Sequence, residues 1–234
     1  MTNWLAYANI RMIAIYDHLE VKHLPKDKTA NHIKINEAMK AEFLEKGFSD
    51  ASIRSIGQRA GLTSAALYRH YRSKEEMFCA VVEPLVQEIQ QRMMQHKQVK
   101  YRMLDEKVDS KMLFGESVID IVKEVIIPHR TEFYLLVKCA NGTRYENFVH
   151  DFVEANQGDL ADAIDCMKAQ GYPAIHLEKE ELHMLLSAYM TAIIEPIIHG
   201  YPDEQITAYL DRMSDFFMPG WMSIMGLSPK ESQM

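Results

Sequence analysis

The sequence has little of what β-sheets require. Only 10 Gly and 8 Pro occur in 234 residues, and alternating Val, Ile and Thr are scarce. Half-buried strands show such alternation and are usually bounded by clusters of Gly and Pro. The pattern therefore argues against a β-rich protein and predicts an all-α fold. Hydrophobic residues make up 47% of the chain, which is enough material for a core.

Disulfide pairs and long apolar runs are also missing. The three cysteines, Cys79, Cys139 and Cys166, form no CxxC pair, which predicts buried free thiols in a reduced, cytoplasmic protein. The apolar stretch over 4–16 is about half as long as a bilayer span and contains Arg11. No basic residue precedes it, so we expect neither a membrane span nor a secretory leader.

Negative charge exceeds positive charge, but not evenly along the chain. The net charge is −7 overall, with +3 over residues 1–78 and −10 over residues 79–234. This asymmetry indicates that the first third of the chain is the part that approaches an anion.

Apolar periodicity predicts a helix over residues 30–46, because Ile35, Met39 and Phe43 recur every four residues. Gly47 is expected to end that helix. Further helices are predicted at 1–22, 53–60, 63–70, 74–98, 111–127, 129–140, 144–170, 178–199 and 203–226. The helix over 1–22 is apolar on much of its circumference, so Trp4, Ile10 and Ile13 are expected to dock on this chain or on a partner.

Three short helices within residues 30–78, with about four residues between the second and the third, have the geometry of a helix-turn-helix. The third helix begins with the small side chains Thr63, Ser64, Ala65 and Ala66. Small residues permit a close approach to base edges in the major groove. The alternative is a three-helix subdomain in which small residues only allow close helix packing.

The segment "INEAMKAEFLEKGFSDASIRSIGQRAGLTSAALYRHYRSKEEMF" resembles the DNA-binding domain of TetR-family transcriptional regulators. The resemblance covers roughly 45 residues and includes Lys46-Gly47-Phe48, Ala60-Gly61-Leu62 and the run from Leu67 to Lys74. Gly57 stands where the family usually has Ala, and Ala65 where Gly is frequent. Residues 1–27 form an unusual leader.

The resemblance implies that the DNA-reading residues lie on the second and third helices and just after them. It assigns Thr63, Ser64 and Ala65 to base edges, and Tyr68, His70 and Lys74 to phosphates. Arg54 is expected to reach a base or a phosphate, although a solvated surface cation is the alternative for it.

The resemblance also implies that residues 79–234 form a helical domain that dimerises and binds an effector. Apolar stripes favour a two-helix dimer interface, with burial inside one chain as the alternative. These stripes include Leu182, Leu185, Tyr189, Ile193 and Ile197 on one helix and Ile206, Leu210, Met213 and Phe217 on the next. Met94, Phe114, Phe133 and Tyr145 are predicted to line the effector site, although aromatic and Met residues are more often plain core.

No cofactor is predicted, and no enzyme, since the sequence has no Gly-rich phosphate loop, no GxSxG and no visible nucleophile–base pair. His176, Glu180 and His183 have a spacing that zinc would accept, but first-turn acidic residues explain Glu180 better, so no metal is assigned.

The sequence thus predicts an extra N-terminal helix and linker over 1–27, a helix-turn-helix domain over 28–78 and a helical effector-binding and dimerisation domain over 79–234. The predicted function is a ligand-responsive repressor that binds a partly palindromic duplex as a homodimer. The helix from Lys74 towards Gln98 is the expected lever between its two sites. A helical enzyme and a DNA-organising module without a ligand are the competing interpretations.

Overall fold

The computed structural model describes residues 30–105 and 118–227. The predicted helix over 1–22 with Trp4, Ile10 and Ile13, and the predicted effector residue Phe114, lie outside these residues. The described part of the chain contains helices and turns and no strand, which confirms the predicted all-α class.

Several predicted bounds are wrong: the helix after Thr63 ends at Leu67 instead of near His70, and the helix from Lys74 continues to Asp105. Short turns separate most of the helices. The helices are α1 (Ala30–Asp50), α2 (Ile53–Ala60), α3 (Ser64–Leu67), α4 (Lys74–Asp105), α5 (Val118–Ile121), α6 (Arg130–Lys138), α7 (Phe148–Ala169), α8 (Lys179–Ile198) and α9 (Asp203–Ile224). A π-helical turn at Val122–Ile126 and a 3-10 turn at Ile127–His129 connect α5 to α6.

The helix α1 places its predicted stripe inward: Ile35, Met39 and Phe43 are almost fully buried. Gly47 interrupts the helix, as predicted: its φ of 71° and ψ of 169° are not helical, and a separate last turn then reaches Asp50. A residue with a Cβ would be strained at that positive φ.

The N-terminal core forms where α1, α2, α3 and the start of α4 meet. Phe43 and Phe78 pack edge to face with ring centroids 5.1 Å apart, and Phe48 contacts the same Phe78 ring at 5.6 Å. Leu67 and Tyr71 face this core, as their spacing predicts. Because α3 has only four residues, its buried Leu67 and its cap fix its position.

The N-terminal core does not stop at residue 78. It also contains Val82 and Val86 from α4, and Leu135 and Leu136 from α6. The backbone N–H of Phe48 donates to the carbonyl oxygen of Cys139 at 2.9 Å. The boundary predicted at 78 therefore crosses a continuous apolar core.

A second core joins the middle of α4 to α5–α9. The predicted interface stripes of α8 and α9 lie in it: Tyr189, Ile193, Ile206 and Leu210 are buried within the chain. The prediction that these residues face a partner is wrong, because α8 and α9 pack them against their own neighbours. The apolar side chains on the outer faces are Met184 and Leu185 of α8 and Phe216 of α9.

Candidate DNA-binding surface

The turn between α2 and α3 brings the two helices unusually close together. Gly61 adopts a left-handed φ of 68°, and the N–H of Leu62 donates to the carbonyl oxygen of Gly57 at 2.8 Å. A Cβ at Gly57 would lie 2.8 Å from the Leu62 oxygen. The absence of a side chain at Gly57 therefore admits the turn that positions α3.

The side chain of Thr63 caps α3. Its Oγ1 accepts a hydrogen bond from the N–H of Ala66 at 3.1 Å, while its hydroxyl proton stays available to another acceptor. Ser64 is half-buried and Ala65 is exposed, whereas Ala66 is buried. The first turn of α3 thus presents a surface without bulky side chains, as predicted.

Two further predicted contact residues, Tyr68 and His70, are exposed just beyond α3. The Tyr68 side chain is 52% exposed. The His70 ring lies edge-on to His32 of α1, with centroids 5.0 Å apart. Arg54, in the first turn of α2, is also exposed. These positions are compatible with phosphate contacts at the two ends of the motif.

Lys74, which is predicted to contact a phosphate, makes contacts within the protein. Its Nζ donates to the carbonyl oxygens of Ser49 (2.9 Å) and Ala51 (3.1 Å) and lies 4.6 Å from the centre of the Phe48 ring. Since these carbonyls belong to the end of α1 and the turn after it, Lys74 ties α4 to α1. Two of its three donors are therefore engaged inside the protein rather than free for a phosphate.

The exposed cations that sequence reasoning missed are Arg69 and Arg72, which follow α3 directly. The sequence could have indicated them, because Arg69 and Arg72 lie on either side of His70, which is predicted to contact a phosphate. Ser73 begins α4, since its Oγ accepts from the N–H of Glu76 at 3.0 Å. In return, a Glu76 carboxylate oxygen accepts from the N–H of Arg72 at 2.5 Å.

A buried carboxylate, also missed from the sequence, holds α1, α2 and the turn between them. Glu42 is fully buried. Its Oε1 accepts from Lys46 Nζ (3.0 Å) and from the N–H of Ser52 (3.1 Å). Its Oε2 accepts from Ser55 Oγ (2.6 Å) and Arg59 Nε (3.0 Å). The only sequence signal was an acidic residue beside the apolar stripe of α1.

The Glu42 carboxylate stays ionised at neutral pH. Burial raises its pKa, but the hydrogen bonds from Ser55, Lys46 and Ser52 together outweigh burial and lower the pKa to about 2. A paired charge in this position fixes the angle between α1 and α2, and with it the angle of α3.

The predicted effector residues are not brought together. Phe133 lines a small cavity in the second core. Met94 is exposed, and Tyr145 belongs to the N-terminal core, where its ring contacts Arg144. The expectation that Met94 and Tyr145 share a cavity with Phe133 is therefore wrong. The periodicity of the sequence could not show on which side of α6 each aromatic ring packs.

The residues considered for zinc are also separated. His176 contacts Glu178 at 3.2 Å, whereas His183 packs against His150 with ring centroids 5.6 Å apart. Glu181, rather than Glu180, closes a capping box with Glu178 at the start of α8. Within residues 30–105 and 118–227, no group of three His, Cys, Asp or Glu residues could hold a metal ion.

Comparison with solved structures finds matches to bacterial regulators. NalD, the secondary repressor of the MexAB-OprM multidrug efflux pump in Pseudomonas aeruginosa, is 19% identical and matches 87% of this chain and 100% of its own with a TM-score of 0.48. A second NalD structure is 20% identical over the same shares, with a TM-score of 0.45. A Mesorhizobium loti protein described as a TetR-family regulator is 16% identical, over 84% of this chain and 98% of its own, at 0.42. Because these TM-scores are below 0.5, no property of these proteins is carried over.

The comparison of the sequence with family models identifies one particular region of the chain. Residues 35–81 match the model of the bacterial regulatory proteins of the tetR family. The match begins inside α1, covers α2 and α3 and ends in α4, so it coincides with the helix-turn-helix described above. Over these residues, the chain is similar to the tetR family of bacterial regulatory proteins.

Proposed function

We propose that the protein is a homodimeric repressor that binds a partly palindromic duplex operator and leaves it when a small molecule binds. The observation that carries the proposal is the first turn of α3, where Ser64 and Ala65 are small and Ala65 is exposed. A turn of this kind can approach base edges in the major groove. Because each chain has one α3, a dimer would read two half-sites about one helical turn apart, roughly 34–36 Å.

Dimerisation is supported by apolar surface on α8 and α9 that the described residues leave uncovered. Met184 is 63% exposed and Phe216 is 72% exposed. The helix α8 has a mean hydropathy of 1.2 over 18 residues, and only 33% of that window is buried within the chain. By length and composition it would also pass as a membrane span, as apolar helices of soluble proteins often do. A second copy of α8 and α9 would cover this surface in a four-helix interface.

Control by an effector is supported by the position of α6 between the two cores. Phe133 of α6 packs in the second core, whereas Leu135 and Leu136 pack in the N-terminal core. Glu132 of α6 also pairs with Lys40 of α1 at 2.6 Å. A ligand that moves Phe133 would therefore move α1 through α6. This adds α6 to the lever that the sequence predicted in α4 alone.

The loop after α6 adds a second connection, this time to α4. The guanidinium of Arg144 pairs with Glu83. The backbone N–H of Arg144 donates to a carboxylate oxygen of Glu75 at 3.2 Å. Glu75 lies in the first turn of α4, next to the end of the DNA-binding motif. Displacement of this loop would reorient the start of α4 and alter the spacing of the two α3 helices. The effector acts only if it binds the mis-spaced state more tightly than the DNA-competent one.

One observation favours a second candidate, a DNA-organising module that needs no ligand. The cavity beside Phe133 measures about 20 Å³, which is room for one water molecule. An effector would have to enlarge it. In both candidates the protein is a cytoplasmic binding protein without a cofactor rather than an enzyme.

The experiment that tests DNA reading selects bound fragments from a random duplex pool with the full-length protein. We expect an inverted repeat whose half-site centres are about 10 base pairs apart. Ala65→Glu should abolish binding, because it places a carboxylate against bases and phosphates. The matched control is Ala169→Glu, at an exposed position at the end of α7, which should bind as the wild type does. Recovery of no preferred sequence by the wild type, or full binding by Ala65→Glu, would refute the assignment.

A further inference from the structure

An apolar cavity lies in the second core, between α4, the π-helical turn, α6, α7 and α8. Its walls include Met93, Val122, Phe133, Phe152 and Met190. Every described side chain that lines it is aliphatic, aromatic or methionine, and no described polar atom contributes to its surface. This lining favours an apolar ligand over a charged one.

Two ion pairs lie on the same elements, and none of their residues lines the cavity. Arg92 of α4 pairs with Glu124 of the π-helical turn at 2.5 Å, and both side chains are well exposed. Lys123 of that turn pairs with Asp211 of α9 at 2.5 Å. A charged ligand in the cavity would therefore lose its water without gaining a partner among these groups, which is costly for either sign of charge.

The side chain of Tyr189 belongs to the same core and is also uncharged. Burial, followed by the negative charge of Asp120, raises the pKa of the Tyr189 hydroxyl to about 12. It is therefore neutral at physiological pH and offers no anion to a cationic ligand.

The walls of the cavity can adapt to an occupant. Met93 and Met190 have three rotatable bonds each, and polarizable thioethers that tolerate different shapes. Val122–Ile126 is a π-helical turn, a conformation that is rare and frequent at functional sites. Because the cavity now measures about 20 Å³, an organic ligand enters only if these side chains move aside.

We infer that the effector is a small, uncharged and largely apolar molecule that occupies this cavity by displacing Met93 and Met190. The inference rests on the proposed function, since it names the chemical class of the ligand for that site. Charged amphiphiles are discriminated against because the cavity offers them neither a counter-charge nor a hydrogen-bonding group.

The test compares two probes with one ring skeleton. N-phenyl-1-naphthylamine is neutral, and 8-anilino-1-naphthalenesulfonate carries an added sulfonate. Titrated into the full-length protein and followed by fluorescence, the neutral probe should bind at least about tenfold more tightly than the anion. Among competitors of equal chain length, 1-decanol should displace it at a concentration at least about tenfold lower than decylammonium or decanoate. Equal or preferred displacement by decylammonium would overturn the inference.

Two substitutions at neighbouring positions distinguish probe binding in this cavity from probe binding to exposed apolar surface. Met93→Trp fills the cavity and should abolish high-affinity probe binding. Met94→Trp makes the same change at the next position, which is exposed, and should leave binding unchanged. If both variants still bind the probe, or if both lose binding equally, the probe binds elsewhere and the inference is overturned.

Operator binding measured on the same preparations distinguishes the two proposals. A protein that binds its selected duplex but no neutral probe contradicts this inference and favours the ligand-free module. A protein that binds the neutral probe but no duplex contradicts the proposed repressor function instead.

Discussion

The Nε of Arg59 donates to Oε2 of Glu42 across 3.0 Å, which links α2 to a carboxylate buried at the centre of the DNA-binding motif. Lys46, Ser52 and Ser55 share the same carboxylate. One side chain therefore fixes the relative position of the first two helices.

Glu42→Gln should destabilise the protein by about 2 kcal/mol at pH 7, after allowance for the partly exposed and screened Lys46 and Arg59. The folded pKa of Glu42 is about 2, below its ordinary value of 4.5. Its contribution to the free energy of unfolding is thus fully present above pH 4.5 and is lost as the pH falls towards 2. The free energy of unfolding, measured with denaturant across this pH window, should fall less steeply with decreasing pH in Glu42→Gln than in the wild type.

The control for Glu42 is Glu45→Gln. Glu45 pairs with the same Arg59, but its side chain is 57% exposed. We expect a change below about 1 kcal/mol, as for exposed ion pairs in general. An equal loss in both variants would show that burial of Glu42 has no special role.

Ser64→Ala should change sequence preference without affecting stability. The half-buried Ser64 lies in the first turn of α3, and loss of its hydroxyl should cost about 1–3 kcal/mol of discrimination at one base pair. Competition binding against single-base operator variants measures this. Thr63→Ala differs because it also removes the cap of α3, so it should lower stability by about 1 kcal/mol. Identical base preferences in Ser64→Ala and the wild type would exclude Ser64 as a base reader.

Lys74→Ala should act on stability rather than on salt dependence. Since the ammonium group satisfies two carbonyls at the end of α1, its loss should cost about 1–3 kcal/mol in denaturant unfolding. Arg69→Ala is the complementary change, because Arg69 is exposed after α3. It should leave unfolding unaffected and reduce the slope of log affinity against log salt by about one. The reverse pattern would restore the original assignment of Lys74 to a phosphate.

Phe216→Asp should convert the proposed dimer to a monomer. A carboxylate in the uncovered face of α9 would be buried against the partner without a counter-charge. Sedimentation velocity at micromolar concentration measures the change. The matched control is Ile33→Asp, since Ile33 is 64% exposed on α1 and shares a surface depression with Arg59 of α2. A dimer that persists in Phe216→Asp, or dissociates in Ile33→Asp, would place the interface elsewhere.

Local features of the sequence determined most of the secondary structure and the identity of the DNA-binding motif. The stripe of Ile35, Met39 and Phe43 predicted α1, and the cap Thr63 with the small residues after it predicted α3. These signals are visible in sequence because helix periodicity, capping and turn chemistry act over only a few residues.

Tertiary structure alone decided which surfaces the remaining residues occupy. Periodicity shows that α8 has an apolar stripe, but not whether its own chain or a partner covers it, and Ile193 proved to be buried internally. Tyr145 and Phe133 likewise pack in different cores although they are close in sequence. The engagement of Lys74 and the burial of Glu42 depend on groups up to 25 residues away, which only folding brings into contact.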